Sequence, residues 1–182
     1  GHSELPRDKE AMDAYMYQLD KQDTVLEKGL IYLALAGRYW KLFREHQISE
    51  ADAVDIWGHY ADHLCRAGMV DAGIRVARAT YDTIAQTKGT LSVGQVRAFG
   101  VVVDGGLRGI QAVPRKMELR RPLESRIPQS LRSYWLDNVA MDAWHLYDNT
   151  LFSAAYEASA EEAGTPTGEA MRRQRFARML CI

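Results

Sequence analysis

The chain has 182 residues, 47% hydrophobic and 26% charged, with a formal net charge of −1. That is the make-up of a globular chain with an apolar core, and it excludes wholesale disorder. The near-neutral charge gives no global field for drawing in nucleic acid or an anionic membrane, and no run of about 18 apolar residues is present to span a bilayer.

Cys65 and Cys181 form neither a disulfide framework nor a zinc knuckle. Gly1-His2-Ser3 reads as a cloning remnant, and residues 1–7 as a lead-in without a signal-peptide pattern. An intracellular, cytoplasmic location is therefore expected, with any targeting segment lying outside these residues.

Apolar spacing predicts a first helix over 8–19, with Asp8 as N-cap and Met12, Tyr15, Met16 and Leu19 on one face. A second helix is expected over 23–46, with Leu26, Leu30, Leu33, Gly37, Trp40 and Leu42 or Phe43 recurring at three and four; Gly37 is a candidate break. Ser49, with Asp52 at N3, reads as the start of a third helix that ends at Gly68. A fourth is expected over 70–87, with Ile74, Ala77, Tyr81 and Ile84 inward and Lys88-Gly89 as its close. Residues 92–103 are β-branched, but a lone strand would lack a partner, so a helix is expected there too. The glycines of "DGGLRG" mark a turn and match neither phosphate-binding pattern.

Residues 111–130 carry Pro114, Pro122 and Pro128 and read as a linker or excursion. Residues 131–163 read as one long apolar helix or two joined ones. After "GTPTG", the segment "EAMRRQRFARMLCI" reads as a short amphipathic helix, with Phe176, Met179 and Leu180 near one side and arginines opposite. At about ten residues such a helix is marginal alone in water, so it needs a host. The expectation is an all-α chain of antiparallel helical hairpins, forming a bundle or short α-solenoid, with a Pro-rich excursion before a long apolar helix. Residues 8–182 are taken as one domain: hairpins over 8–110, a basic Pro-rich linker over 111–130, then a long acidic helix and a basic helix over 131–182.

The stretch "HLCRAGMVDAGIRV" (63–76) places Leu64, Ala67-Gly68, Val70-Asp71, Gly73 and Ile74 where a helical hairpin wants its turn and its small contacts. Trp57, Ala61, Gly68 and Gly73 follow a large-small-small-small order, and "LALAGRY" (33–39) echoes "LCRAGMV" (64–70) 31 residues earlier. Over residues 25–88 the chain thus resembles tetratricopeptide and pentatricopeptide repeats. The first implies a protein partner, the second single-stranded RNA.

Charge is segregated along the chain. Residues 108–132 hold seven basic groups against two acids, whereas 133–171 hold seven acids and no Lys or Arg. The basic run, through Arg115, Lys116, Arg120 and Arg121, suits either an acidic partner or a phosphate backbone. It contains no aromatic residue for base stacking.

His59 and His63 share a helical face with Asp55 one turn earlier. Asn138, Asp142, His145 and Asn149 form a second polar stripe in which Asp142 is placed to orient His145. His59, His63, His145 and Asp142 are the candidate metal ligands of a helical-bundle enzyme. The alternative for each is a solvated or hydrogen-bonded helix face.

The leading expectation is a non-enzymatic protein–protein interaction module, a scaffold or adaptor subunit without a cofactor. Tyr39, Trp40, Trp57, Arg121 and Trp144 are its candidate anchors, since Trp, Tyr and Arg dominate such interfaces.

Overall fold

A computed structural model describes residues 25–45 and 47–163, together with residues 8, 11, 12, 14 and 15. Among the described residues the chain is helical, without a strand. Helix α1 is Val25–Arg44, α2 Glu50–Arg66, α3 Val70–Asp82 and α4 Val93–Gly106. They are followed by α5 Val113–Arg120, α6 Arg132–His145 and α7 Asn149–Ala163. The chain divides into two compact units, Gly1–Gly106 and Leu107–Ile182. The division falls inside the glycine turn.

In the first unit α2 is the hub, packing against α1, α3 and α4. Its start follows from local chemistry. The Ser49 hydroxyl accepts from the Asp52 amide at 3.1 Å and donates to the Asp52 carboxylate at 2.8 Å. Its end is a Schellman motif: Gly68, at φ +84°, donates to Cys65 O, and Met69 donates to Leu64 O.

Three glycine contacts let backbones approach α2. A Cβ on Gly58 would lie 1.8 Å from Gly94 O of α4, and one on Gly73 of α3 would lie 2.5 Å from Cys65 Sγ. On α1, a Cβ on Gly29 would lie 2.8 Å from the Ala67 Cβ. The α2–α4 crossing is also pinned by polar groups. The Gly94 amide donates to Asp55 Oδ1 at 2.6 Å, and Arg97 donates to Asp62 at 2.6 Å.

Helix α4 forms despite its β-branched residues because it is buried nearly all round, with Val96, Phe99, Val101 and Val103 in the core. It opens with a reciprocal box. The Gln95 amide donates to Ser92 Oγ, and the Ser92 amide donates to Gln95 Oε1. The buried Gln95 side chain also donates to Thr83 and Thr87, tying α4 to the 3₁₀ turn Thr83–Ala85.

Helix α1 runs unbroken through Gly37. "LALAGRY" is therefore helix interior, whereas "LCRAGMV" spans a helix end. The face that faces the core is Tyr32, Leu35, Ala36, Tyr39 and Leu42. Of the series singled out from spacing, Leu30, Leu33, Gly37 and Trp40 lie outside, whereas Leu42 is in the core and Phe43 packs against it.

In the second unit the proline-bearing stretch is helical rather than a linker. Pro114 and Pro122 stand at first-turn positions, where no amide bond is lost, and Pro128 caps a third short turn. Of the two readings of residues 131–163, one long helix or two joined ones, the structure has the second, the hairpin of α6 and α7. Leu146 ends α6, Tyr147 takes the left-handed position at φ 57°, and Asp148 donates back to Ala143 O. Asp148 then caps α7, its Oδ1 accepting from the Leu151 amide at 2.9 Å.

Of the helix expected over 8–19, Asp8 accepts from the Ala11 amide at 2.8 Å and Met12 is fully buried. The amphipathic helix expected after "GTPTG" lies outside the described residues. Among the described residues no helix is long and apolar enough to cross a membrane.

Candidate interaction surfaces

Helix α1 is apolar on two sides. Its inner side fills the core; its outer side exposes Leu30 at 61%, Leu33 at 47% and Trp40 at 45%. Ala34 and Gly37, both exposed, sit between them, and nothing stands within 4 Å of the space above Gly37. The result is a stripe of large, small and large residues open to an approaching helix. Its upper end is held rigid, since the Trp40 ring meets Phe43 at 5.6 Å and Trp57 at 6.2 Å, and Trp57 meets Tyr60 at 5.5 Å.

Of the expected anchors, Trp40 is exposed and Trp57 half-buried beside it. Tyr39 is only 1% exposed, so its ring serves the core and not a surface. The reason is angular: consecutive residues stand about 100° apart on a helix, so Tyr39 and Trp40 share no face. In the second unit Arg121 is exposed, and so is Trp144, whose ring meets Phe152 at 5.4 Å.

The second unit holds a cleft of about 580 Å³ lined by α5, α6 and α7. Met117, Leu136, Val139 and Leu151 make it apolar, and Ala154 and Ala158 keep one wall low. At its base Arg120, 3% exposed, donates through Nε to Asp142 Oδ2 at 3.0 Å and lies 5.4 Å over the Trp135 ring. A buried ion pair fixes the angle at which α5 meets α6. Behind it the Ser159 hydroxyl donates to Asp137 at 2.6 Å, joining α7 to α6.

The expected RNA cluster is divided by this arrangement. Arg120 is buried against Asp142, Arg115 donates to Glu118 at 2.8 Å, and Arg121 faces outward.

The histidines are placed as follows. His59 lies 3.5 Å from Asp55, in the i, i+4 pairing expected. Burial pushes the Asp55 carboxyl up, but the bond to and charge of His59, the Gly94 amide and the Ser92 hydroxyl outweigh it and hold the carboxyl below its ordinary value. His63 is buried, its ring stacked on Tyr32 at 3.6 Å. In the second unit His145 is exposed with Nδ1 2.7 Å from Met141 O, and Asp142 is turned to Arg120. Among the described residues no group of three or more His, Cys, Asp or Glu is arranged to hold a metal ion.

Scans against protein-family models, curated proteins and solved structures each return no match for this chain. The surfaces must therefore be read on their own chemistry.

Sequence reasoning missed the outward role of Leu30 and Leu33, and it missed the cleft. The available signal for the first was that α1 carries two apolar series, 30-33-37-40 and 32-35-39-42, where one face suffices for a core.

Proposed function

We propose that this chain is a non-enzymatic interaction module, a scaffold or adaptor that docks an amphipathic helix of another protein along the outer side of α1. The observation that carries this reading is the exposed Leu30–Leu33–Trp40 stripe with an open step at Gly37. Monomeric surfaces rarely leave such a run of large apolar residues on one helix face. Small residues between large ones let a second helix backbone come close, and the flanking large side chains then supply the anchors. Lys41 and Arg44, exposed at the C-terminal end of α1, favour an acidic flank on the partner. The hairpin α2–α3, turned at Gly68, supports a repeat-like arrangement as the platform behind α1.

The test is affinity isolation of the wild-type chain and the Leu33→Glu/Trp40→Glu variant, read by mass spectrometry. A protein that accompanies the wild type in stoichiometric amount and is lost with the variant, at unchanged helical content, is the expected result. A wild-type chain that comes out alone, or the same companions on both, overturns the reading.

A further inference from the structure

The outer stripe of α1 is symmetric along its length. Leu30, Leu33, Gly37 and Trp40 are spaced three, four and three residues apart, so the series reads alike from either end. Its midpoint falls at position 35. Reversal about that point sets position 33 against 37 and position 30 against 40. Exposed Ala34 and Gly37 stand near the middle, and exposed Leu30 and Trp40 stand at the ends. Two crossing helices are closest at the crossing point and diverge beyond it, so small residues belong at the centre and large ones toward the ends.

Such a surface fits a reversed copy of itself. A two-fold contact needs one patch that is complementary to its own image. Here the reversed copy brings Leu33 over Gly37, where nothing stands within 4 Å of the space a Cβ would take. Leu30 and Trp40 then close the two ends of the contact. Charge selects the same direction. The exposed cations Lys41 and Arg44 lie at one end of α1 only. An antiparallel pair holds the two Lys41 positions about 18 Å apart along the axis, well beyond the screening length of about 8 Å. A parallel pair would set like charges side by side.

We propose that in the free chain the outer side of α1 is covered by α1 of a second copy, antiparallel and related by a two-fold axis, with Leu33 of each copy seated in the Gly37 step of the other. That side is the docking face of the proposed function, on which this occupancy rests. Six exposed residues a side, Leu30, Leu33, Ala34, Gly37, Trp40 and Lys41, are far fewer than the roughly 20–30 of a standard interface. The pair is therefore weak and reversible, and a partner helix with a longer footprint displaces it. Self-association then regulates the face: a higher chain concentration lowers the apparent affinity for the partner.

Sedimentation velocity of the full-length chain from about 10 µM to about 1 mM measures the dimer. Gly37→Leu is the deciding variant. Leucine suits an exposed mid-helix position better than glycine and adds apolar surface, so α1 stays folded and non-specific adhesion would grow. Filling the step instead removes the seat of Leu33. The expected result is a concentration-dependent dimer in the wild type and one at least about tenfold weaker in Gly37→Leu, at unchanged or higher helical content. Disulfide formation in a Cys65→Ser/Cys181→Ser background reads the direction. Positions 33 and 37 of opposite copies stand level, whereas 33 and 33, or 37 and 37, are offset by about 6 Å along the axis. A mixture of Leu33→Cys and Gly37→Cys chains should therefore oxidise to the mixed dimer about tenfold faster than either chain oxidises with its own kind. A wild type that is monomeric throughout, a Gly37→Leu dimer as tight as the wild type, or like-with-like disulfides as fast as mixed ones overturn the proposal. A monomeric wild type that still carries its partner in affinity isolation sinks the dimer and leaves the proposed function standing; a dimer that carries no partner does the reverse.

Discussion

Replacing Gly58 by alanine tests the geometry on which the first unit is built. Alanine is the better helix former by about 1 kcal/mol, so local propensity alone says the change stabilises α2. The tertiary structure says the opposite. The new methyl would sit 1.8, 2.3 and 2.6 Å from the O, C and Cα of Gly94, all backbone atoms. That is about 1.6 Å short of ordinary contact at the closest point, and no side chain can swing away to relieve it. Helices α2 and α4 must separate. Overpacking of this kind costs about 3 kcal/mol. Separation also breaks the 2.6 Å bond from the Gly94 amide to Asp55, a charge-assisted bond worth about 2 kcal/mol. After the helix gain is set against these, the net loss is about 4 kcal/mol, a large share of the 5–15 kcal/mol that holds a domain together. With a urea slope of about 2 kcal/mol/M, the denaturation midpoint read by circular dichroism falls by about 2 M. Gly37→Ala is the internal control. It lies mid-helix on α1 with nothing within 4 Å, and it should raise stability by about 0.5–1 kcal/mol. If Gly58→Ala behaves like Gly37→Ala, the close crossing of α2 and α4 is wrong.

Three further outcomes are expected. Arg120→Ala strands the buried Asp142 charge and should lower stability by about 3–5 kcal/mol, with much of the loss recovered in the Arg120→Ala/Asp142→Asn double variant; a harmless single substitution in a urea titration refutes the buried pair. The Asp55 carboxyl titrates lower in the folded chain than in the unfolded one, so its contribution is full above the unfolded value and is lost as pH falls through the folded one. Wild type and Asp55→Asn should therefore differ in thermal midpoint at neutral pH and converge in acid; a gap that widens on acidification contradicts the assignment. Tyr147 holds φ 57° with 87% of its surface exposed, so Tyr147→Gly should raise stability by about 1 kcal/mol, and a loss would mean that the ring carries packing the left-handed backbone conceals.

The helical character of this chain was legible because it rests on local causes. Ser49 with Asp52, Gly68 and Gly89 at positive φ, and the three- and four-residue spacing on α2 and α3 act within a turn or two of themselves. The prolines misled because a proline is neutral at a helix start and disruptive inside one, and composition does not say which position it takes. Pro114 and Pro122 stand at starts. The cleft was illegible for another reason: it is made by residues from three helices whose mutual angles no single spacing encodes.

Sequence by itself determined that the chain folds as short helices and where most of them end, since capping, propensity and apolar period are properties of neighbouring residues. Only the tertiary structure decided which apolar face of α1 goes inward. Leu30-Leu33-Gly37-Trp40 and Tyr32-Leu35-Tyr39-Leu42 have the same spacing. The choice fell to the series whose backbone side also places Gly29 against Ala67, where α1 and α2 can close. The other series was left facing solvent, and the proposed function of the chain rests on it.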